Sequence, residues 1–260
     1  MRIALGIEYD GSDFAGWQLQ KGEVHTVQGE MEQALSHVAD HPLRVICAGR
    51  TDAGVHATAQ VVHFDTHAHR SMRSWVYGAN ANLPQSVSVQ WARPVDDDFH
   101  ARFSAVRRRY RYAILNREVR PTFLVRRVAW EYRPLDEELM RRAARDLVGE
   151  HDFSAYRAVA CQAKSPVRFL YELAVKRDRD LVILDLEANA FLHHMVRNIA
   201  GVLMDIGAGK RAPDWAREVL ESRDRTVGGI TAPPHGLYLT GIDYPARFAL
   251  PPLSRSGAVW

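Results

Sequence analysis

The chain has 260 residues, 47% hydrophobic and 25% charged, with a net charge of +3. This is enough apolar material for one large domain or two ordinary ones, and it excludes a small stapled scaffold and wholesale disorder. No apolar run approaches the roughly 20 residues that cross a bilayer, and the opening MRIALGIEYDG lacks a signal peptide's apolar block, so a cytoplasmic protein with no membrane contact is expected.

Residues 2–9 alternate, with Ile3, Leu5, Ile7 and Tyr9 on one face, which predicts a half-buried strand. A glycine-rich loop, DGSDFAGWQLQ, follows. Thr26 then caps a predicted helix whose apolar stripe is Val27, Met31, Leu35 and Val38. Strands over 43–48 and 58–64, a helix over 71–80 and a strand over 86–91 complete a β-α-β-β-α-β order. The second half is expected to repeat it with decorations. A strand over 110–115 and an additional one within 125–132 precede a helix from Pro134 and Asp136 to Val148. The segments 169–175 and 181–186 alternate around Asp178, Arg179 and Asp180, the clearest hairpin in the chain. Helices over 191–204 and 214–222 and a strand over 237–244 close the set. The expected fold class is therefore α+β: two ferredoxin-like halves with antiparallel sheets flanking a basic catalytic cleft. They would span residues 1–103 and 104–245, with a loose tail over 246–260.

Positive charge is unevenly spread. Residues 101–145 hold 13 arginines, no lysine and 5 acids, a local surplus of eight that the rest of the chain more than halves. Arginine suits bidentate contact with phosphate, although a GC-rich genome produces the same preference over lysine. Within this stretch Arg107, Arg108, Arg109, Tyr110, Arg111 and Tyr112 interleave cation and aromatic as single-strand nucleic-acid surfaces do.

Two constellations bear on chemistry. In Gly49-Arg50-Thr51-Asp52-Ala53-Gly54-Val55-His56, glycines at both ends frame one carboxylate. Asp52 reads either as a turn aspartate bonded to its own backbone or as an acid displayed with Arg50 beside it to keep it ionised. In Phe191-Leu192-His193-His194-Met195-Val196-Arg197-Asn198, adjacent positions of a helix point about a hundred degrees apart, so His193 and His194 do not chelate one ion together. His63, His67 and His69 offer no chelating spacing either, and no metal is expected. Cys47 and Cys161 read as free thiols. Leu192, Met195, Val196, Ile199 and Leu203 form a buried stripe, and Arg197 at its edge needs an anion, either Asp52 or a phosphate.

Taken together, these residues resemble the tRNA pseudouridine synthase A family along almost the whole chain. Tyr9-Asp10-Gly11 with Phe14, Gly16, Trp17 and Gln18 is similar to the family's opening motif, and Thr26-Val27-Gln28-Gly29 to the start of its first helix. Gly49 to Ala57 resembles the catalytic motif. Phe99-His100-Ala101-Arg102-Phe103-Ser104 with Tyr110, His151-Asp152-Phe153-Ser154, Pro166-Val167-Arg168, the helix at His194 to Asn198, and Ala232-Pro233-Pro234-His235-Gly236-Leu237 follow in the expected order. Tyr156, where phenylalanine is usual, Leu170, Tyr171 and the C-terminal tail depart from the pattern.

The resemblance implies isomerisation of uridine to pseudouridine at nucleotides 38, 39 and 40 of the tRNA anticodon stem-loop, with base flipping and without cofactor or metal. It implies tRNA as partner and a homodimer. Asp52 would attack the sugar or abstract its proton. Tyr110 would lie against the flipped uracil and serve as base at C5, and Arg197 would pair with Asp52. Arg50 would hold a phosphate or fill the vacated stack, and Leu237 would line the pocket. Two other classes compete: a catalytically silent RNA-binding module, and a metal-dependent nuclease acting through Asp10, Asp13 and the histidines.

Overall fold

The computed structural model describes residues 1–22 and 24–251. The chain divides into two compact units, Met1–Arg107 with the segment from Tyr238 onward, and Arg108–Leu237. Both mix helices with mostly antiparallel strands, so the class is α+β.

In the first unit β1 (Arg2–Tyr9) runs antiparallel to β3 (His56–Asp65) on one side and to β4 (Val87–Val95) on the other. The short β2 (Ile46–Cys47) joins β3. The closing strand β10 (Leu237–Asp243) runs parallel to β3, with Tyr238 opposite His56. Helix α1 (Val27–Ala39) packs on α2 (Met72–Asn82), and α2 packs on β4. Thr26 caps α1 as its sequence predicts, accepting a bond from Gly29 N at 3.2 Å. Element order in this unit follows the predicted β-α-β-β-α-β pattern.

The half-buried reading of β1 is corrected. Residues Ile3 to Ile7 are buried on both faces. On one face Phe64, opposite Ile3, meets Trp75 of α2 at 5.1 Å. The other face is covered by a cluster of Ala4, Ala48, Val61, Phe99, Ala101 and Phe248. Phe248 comes from the segment expected to be a loose tail. The chain makes a short 3-10 turn at Ala246–Phe248 and sets this ring 5.1 Å from Phe99, because the second sheet face needs an apolar cover that local patterning does not announce. Residues 252–260 of the expected tail lie outside the described residues.

In the second unit the sheet order is β5 (Arg107–Asn116), β9 (Leu181–Ala188), β8 (Val167–Asp178) and β7 (Gly149–Asp152), all antiparallel, with β6 (Ala129–Glu131) parallel to β5. The β8–β9 hairpin closes through Arg179 and Asp180, as predicted, and Arg179 takes a left-handed conformation. Strand β7 has too little apolar patterning to be read locally and forms by pairing with β8. Helix α3 (Glu137–Arg145) packs on β8 and on α4 (Met195–Gly207). Asp136 caps α3 through bonds from Glu138 N and Leu139 N.

Helix α4 starts later than its apolar pattern suggests. His194 sits at its N-cap with φ of +63°, so Phe191 to His194 precede the helix, and the expectation that helical geometry separates His193 from His194 is corrected: both are turn residues, with ring centroids 4.1 Å apart. The predicted stripe Leu192, Met195, Val196, Ile199 and Leu203 is buried throughout. Helix α5 (Trp215–Ser222) explains the unusual Tyr156: its hydroxyl donates to Ala216 O at 2.9 Å, a bond phenylalanine lacks.

His63 of β3 lies on the face away from α2, and its Nδ1 accepts from Ala101 N at 3.1 Å. Burial, with His100 and Arg2 adding repulsion, pulls its pKa down to about 4. The unfolded chain, titrating near 6.5, therefore binds more protons between these values. Stability should be complete above about pH 6.5 and fall by up to about 3 kcal/mol from this group as pH drops towards 4. Urea unfolding across this range checks it, and His63→Asn, which keeps an acceptor without titrating, should flatten the profile.

Candidate active site

The segment 49–55 leaves the sheet between β2 and β3 and must satisfy its backbone without a strand partner. Gln60, fully buried on β3, does this at the entrance: its Nε2 donates to Gly49 O at 2.6 Å and its Oε1 accepts from Gly49 N at 3.3 Å. The next fixed point is Thr51, whose hydroxyl bonds the Tyr9 hydroxyl at 2.7 Å in a buried pair, and whose carbonyl accepts from Trp17 N at 2.9 Å. Beyond Asp52, Gly54 N donates to Phe14 O and Val55 N donates to Asp52 O. The turn that contains Asp52 thus closes through its backbone carbonyl, while its carboxyl group is carried, partly exposed, on a loop pinned on both sides. Arg50 is exposed on the same loop.

Two glycines of the first loop make this docking possible. A Cβ at Gly16, whose φ is +102°, would lie 2.9 Å from Thr51 O, and one at Gly11 would lie 2.0 Å from Val55 O. The first loop and the Asp52 loop, far apart in the sequence, therefore pack backbone to backbone. His56 completes the seam. Its Nδ1 lies 3.1 Å from both Gly11 N and an Asp10 carboxylate oxygen, and its ring stacks on Tyr238 at 4.6 Å. Asp10 also accepts from Ser12 N and Ser12 Oγ, so this carboxylate organises the loop.

The second unit carries Tyr110, Arg197 and Leu237. Tyr110 lies on β5 opposite Leu186, nearly buried, with Phe191 edge-on at 5.0 Å. Arg197 occupies the first turn of α4. Its Nε donates to Ala232 O at 2.8 Å, while Ala232 N donates to Arg197 O. A backbone carbonyl thus aims this guanidinium. The next residue, Pro233, accepts from the Tyr112 hydroxyl at 2.7 Å. Burial holds that phenol far above its usual range, so it stays a neutral donor. Asn198, buried on the same helix, donates to Tyr156 O and accepts from Arg225 and Thr231. Arg197 and the stretch 231–237 that ends at Leu237 are therefore one braced assembly, and Tyr112, on the face of β5 that carries Tyr110, is tied to it.

The interleaved segment at 107–112 is corrected in part. Strand alternation puts Arg109 and Arg111 on the face opposite Tyr110 and Tyr112. There Arg109 pairs with Glu187 at 2.8 Å, and Arg111 makes a two-pronged pair with Asp185 at 2.7 and 3.1 Å. Both acids stand directly across on β9. These arginines zip two strands together. Gln60, Tyr9 with Thr51, and Tyr112 with Pro233 are the supporting contacts that sequence reasoning missed. A glutamine in a strand facing a glycine-framed loop is a faint signal, and the others join residues far apart in the chain.

The sequence pattern of the family described as tRNA pseudouridine synthase matches residues 6–104 and 143–245. The chain is 62% identical over 260 residues to tRNA pseudouridine synthase A of Nitrosococcus oceani, with all of both chains covered. It is 61% identical over 250 residues to the protein of that name from Alcanivorax borkumensis, covering 96% of this chain and 94% of the relative. For the Pseudomonas aeruginosa protein the figures are 59%, 96% and 88%.

Gln60→Leu removes both bonds to Gly49 at nearly constant volume and leaves a peptide group unmatched. It should cost about 2 kcal/mol, read by urea unfolding, and speed hydrogen exchange across residues 49–55.

Proposed function

The chain belongs to the tRNA pseudouridine synthase family and is an isomerase acting on tRNA, and on that premise we propose that it converts uridine to pseudouridine at nucleotides 38, 39 and 40 of the anticodon stem-loop. The observation that carries the residue assignment is the rigid presentation of Asp52, the one carboxylate of a loop held by hydrogen bonds on both sides.

The chemistry breaks the bond from C1′ to N1, turns the uracil and forms the bond from C1′ to C5. The C5 proton is lost and N1 gains one, so product and substrate have the same atoms. No oxidant, reductant or cofactor enters the balance. A hydrolytic glycosidase needs a second carboxylate to activate water, whereas here the leaving base is also the incoming group, and one acid suffices. Asp52 acts on the sugar, by attack at C1′ or by proton abstraction. Reaching C1′ requires the nucleotide to leave its stack at a cost of a few kcal/mol, lowest in loops and at helix ends.

Tyr110 lies against the uracil and takes the C5 proton. The family match omits residues 105–142, so this role rests on its position on β5 and on the motif that precedes it. Arg197, aimed by Ala232 O, is the counter-charge of Asp52. Arg50 holds a phosphate or fills the vacated stack, and Leu237 lines the base pocket. In this reading each unit is a ferredoxin-like half, and the enzyme is a cytoplasmic homodimer with tRNA as its partner.

Incubation of the purified protein with chelator on an unmodified tRNA transcript, followed by nucleoside analysis and site mapping, should yield pseudouridine confined to nucleotides 38–40. Asp52→Ala should keep its affinity for tRNA and fall below about a thousandth of wild-type turnover. Comparable turnover in that variant sinks the assignment.

Arg197→Met should lower turnover by about a hundredfold. Tyr110→Phe keeps the ring. A hundredfold or so loss at unchanged affinity assigns its hydroxyl to proton transfer, whereas full activity leaves Tyr110 a stacking role alone.

A further inference from the structure

The arginines at 101–145 are placed in several parts of the fold. Arg109, Arg111, Arg133 and Arg141 are held by carboxylates of Glu187, Asp185, Glu131 and Glu138. Four others lie in the connection between β5 and β6, where residues 117–127 carry them with a single acid, Glu118. This connection falls within the segment that the family match leaves out.

The connection is a built protrusion. Its ends are adjacent in space because β5 and β6 pair side by side, with Leu115 opposite Trp130 and Asn116 opposite Glu131. The indole of Trp130 donates to Arg117 O at 2.9 Å, and the Asn116 amide donates to the carbonyls of Glu131 and Arg133, so the stem is locked. Pro121 is buried, and Arg127 N turns back to Leu124 O at 3.0 Å. At the tip between them Phe123 is 92% exposed. Trp130 and Tyr132 stand partly exposed at the base, their rings 6.2 Å apart.

Val119, Phe123, Val125, Trp130 and Tyr132 are all exposed on or beside this connection, a grouping unlike the singly scattered apolar side chains of an ordinary surface. Over residues 117–127 four arginines stand against one acid, so the exposed rings lie in a strongly cationic stretch that complements a polyanion. Cation next to an open aromatic face suits a polyanion whose repeating unit also carries a flat, stackable ring. We propose that residues 117–127 form a second RNA contact, in which Phe123 stacks on an unpaired base of the bound tRNA and Arg120 neutralises a flanking phosphate. The proposal rests on tRNA being the substrate and adds a site remote in sequence from Asp52.

The test is the affinity of the full-length protein for an unmodified tRNA transcript over a salt series, beside a blunt RNA duplex of equal length. Phe123→Ala should bind the transcript about tenfold more weakly and the duplex as wild type does, since the duplex offers no unpaired base. Arg120→Ala should weaken both ligands and make the salt dependence shallower by about one counterion. Both variants should melt as wild type does and, with tRNA saturating, turn over at the wild-type rate. Unchanged affinity of Phe123→Ala for the transcript overturns the proposal, as does a changed sedimentation coefficient at unchanged affinity, which would make the ring a protein contact. Because the readout is binding, a protein that binds tRNA and makes no pseudouridine would overturn the catalytic reading and leave this one standing.

Discussion

The bonds that fix Gly49 and Thr51 are the constraint on which the first unit is organised. A loop that leaves a sheet loses its ladder partners, and each peptide group it buries needs another partner or costs about 1–3 kcal/mol. Gln60 supplies one amide that answers both the N–H and the C=O of Gly49, and the Tyr9 and Thr51 hydroxyls answer each other. Because these partners are rooted in β3 and β1, the loop inherits the rigidity of the central strands. The glycine-rich first loop can then lie directly on it, since Gly11 and Gly16 leave the space a side chain would need. The carboxylate of Asp52 is thus presented by a backbone with little freedom, the condition under which a single acid can be aimed.

The second unit solves a related problem with one two-faced strand. Period-two alternation along β5 sends Tyr110 and Tyr112 to one side and Arg109 and Arg111 to the other. On the tyrosine side the Tyr112 hydroxyl secures Pro233, whose neighbour Ala232 holds Arg197. On the arginine side, acids of β9 in direct register neutralise the charge and bind the two strands. One residue of slip between β5 and β9 would break both arrangements together, which makes this register a shared requirement of stability and of the site.

Much of this was legible before any coordinates. The helix caps at Thr26 and Asp136, the apolar stripes of α1 and α4 and the hairpin at Arg179 and Asp180 follow from short-range rules and stand where those rules put them, except that Leu192 of the α4 stripe precedes the helix. The motif around Asp52 was legible for the same reason, because glycines on either side of an acid state the backbone's needs locally. Strand β7 was not legible, since four residues without apolar alternation become a strand only when β8 offers an edge. The start of α4 was misread because apolar periodicity runs on through Leu192, whereas the left-handed His194 interrupts the helix.

By itself the sequence determined the α+β class, the order of the elements in the first unit, the stripes that become core and the family to which the chain belongs. Only the tertiary structure decided which residues act on one another: Gln60 on Gly49, Tyr9 on Thr51, Ala232 on Arg197, Glu187 on Arg109, and Phe248 as the cover of a sheet face that patterning marked as exposed. The division has a physical basis. Propensity, capping and periodicity act over a few residues and are written consecutively, whereas hydrogen bonds and ion pairs between strands depend on which strands become neighbours and in what register, a choice made by burying apolar surface from the whole chain at once.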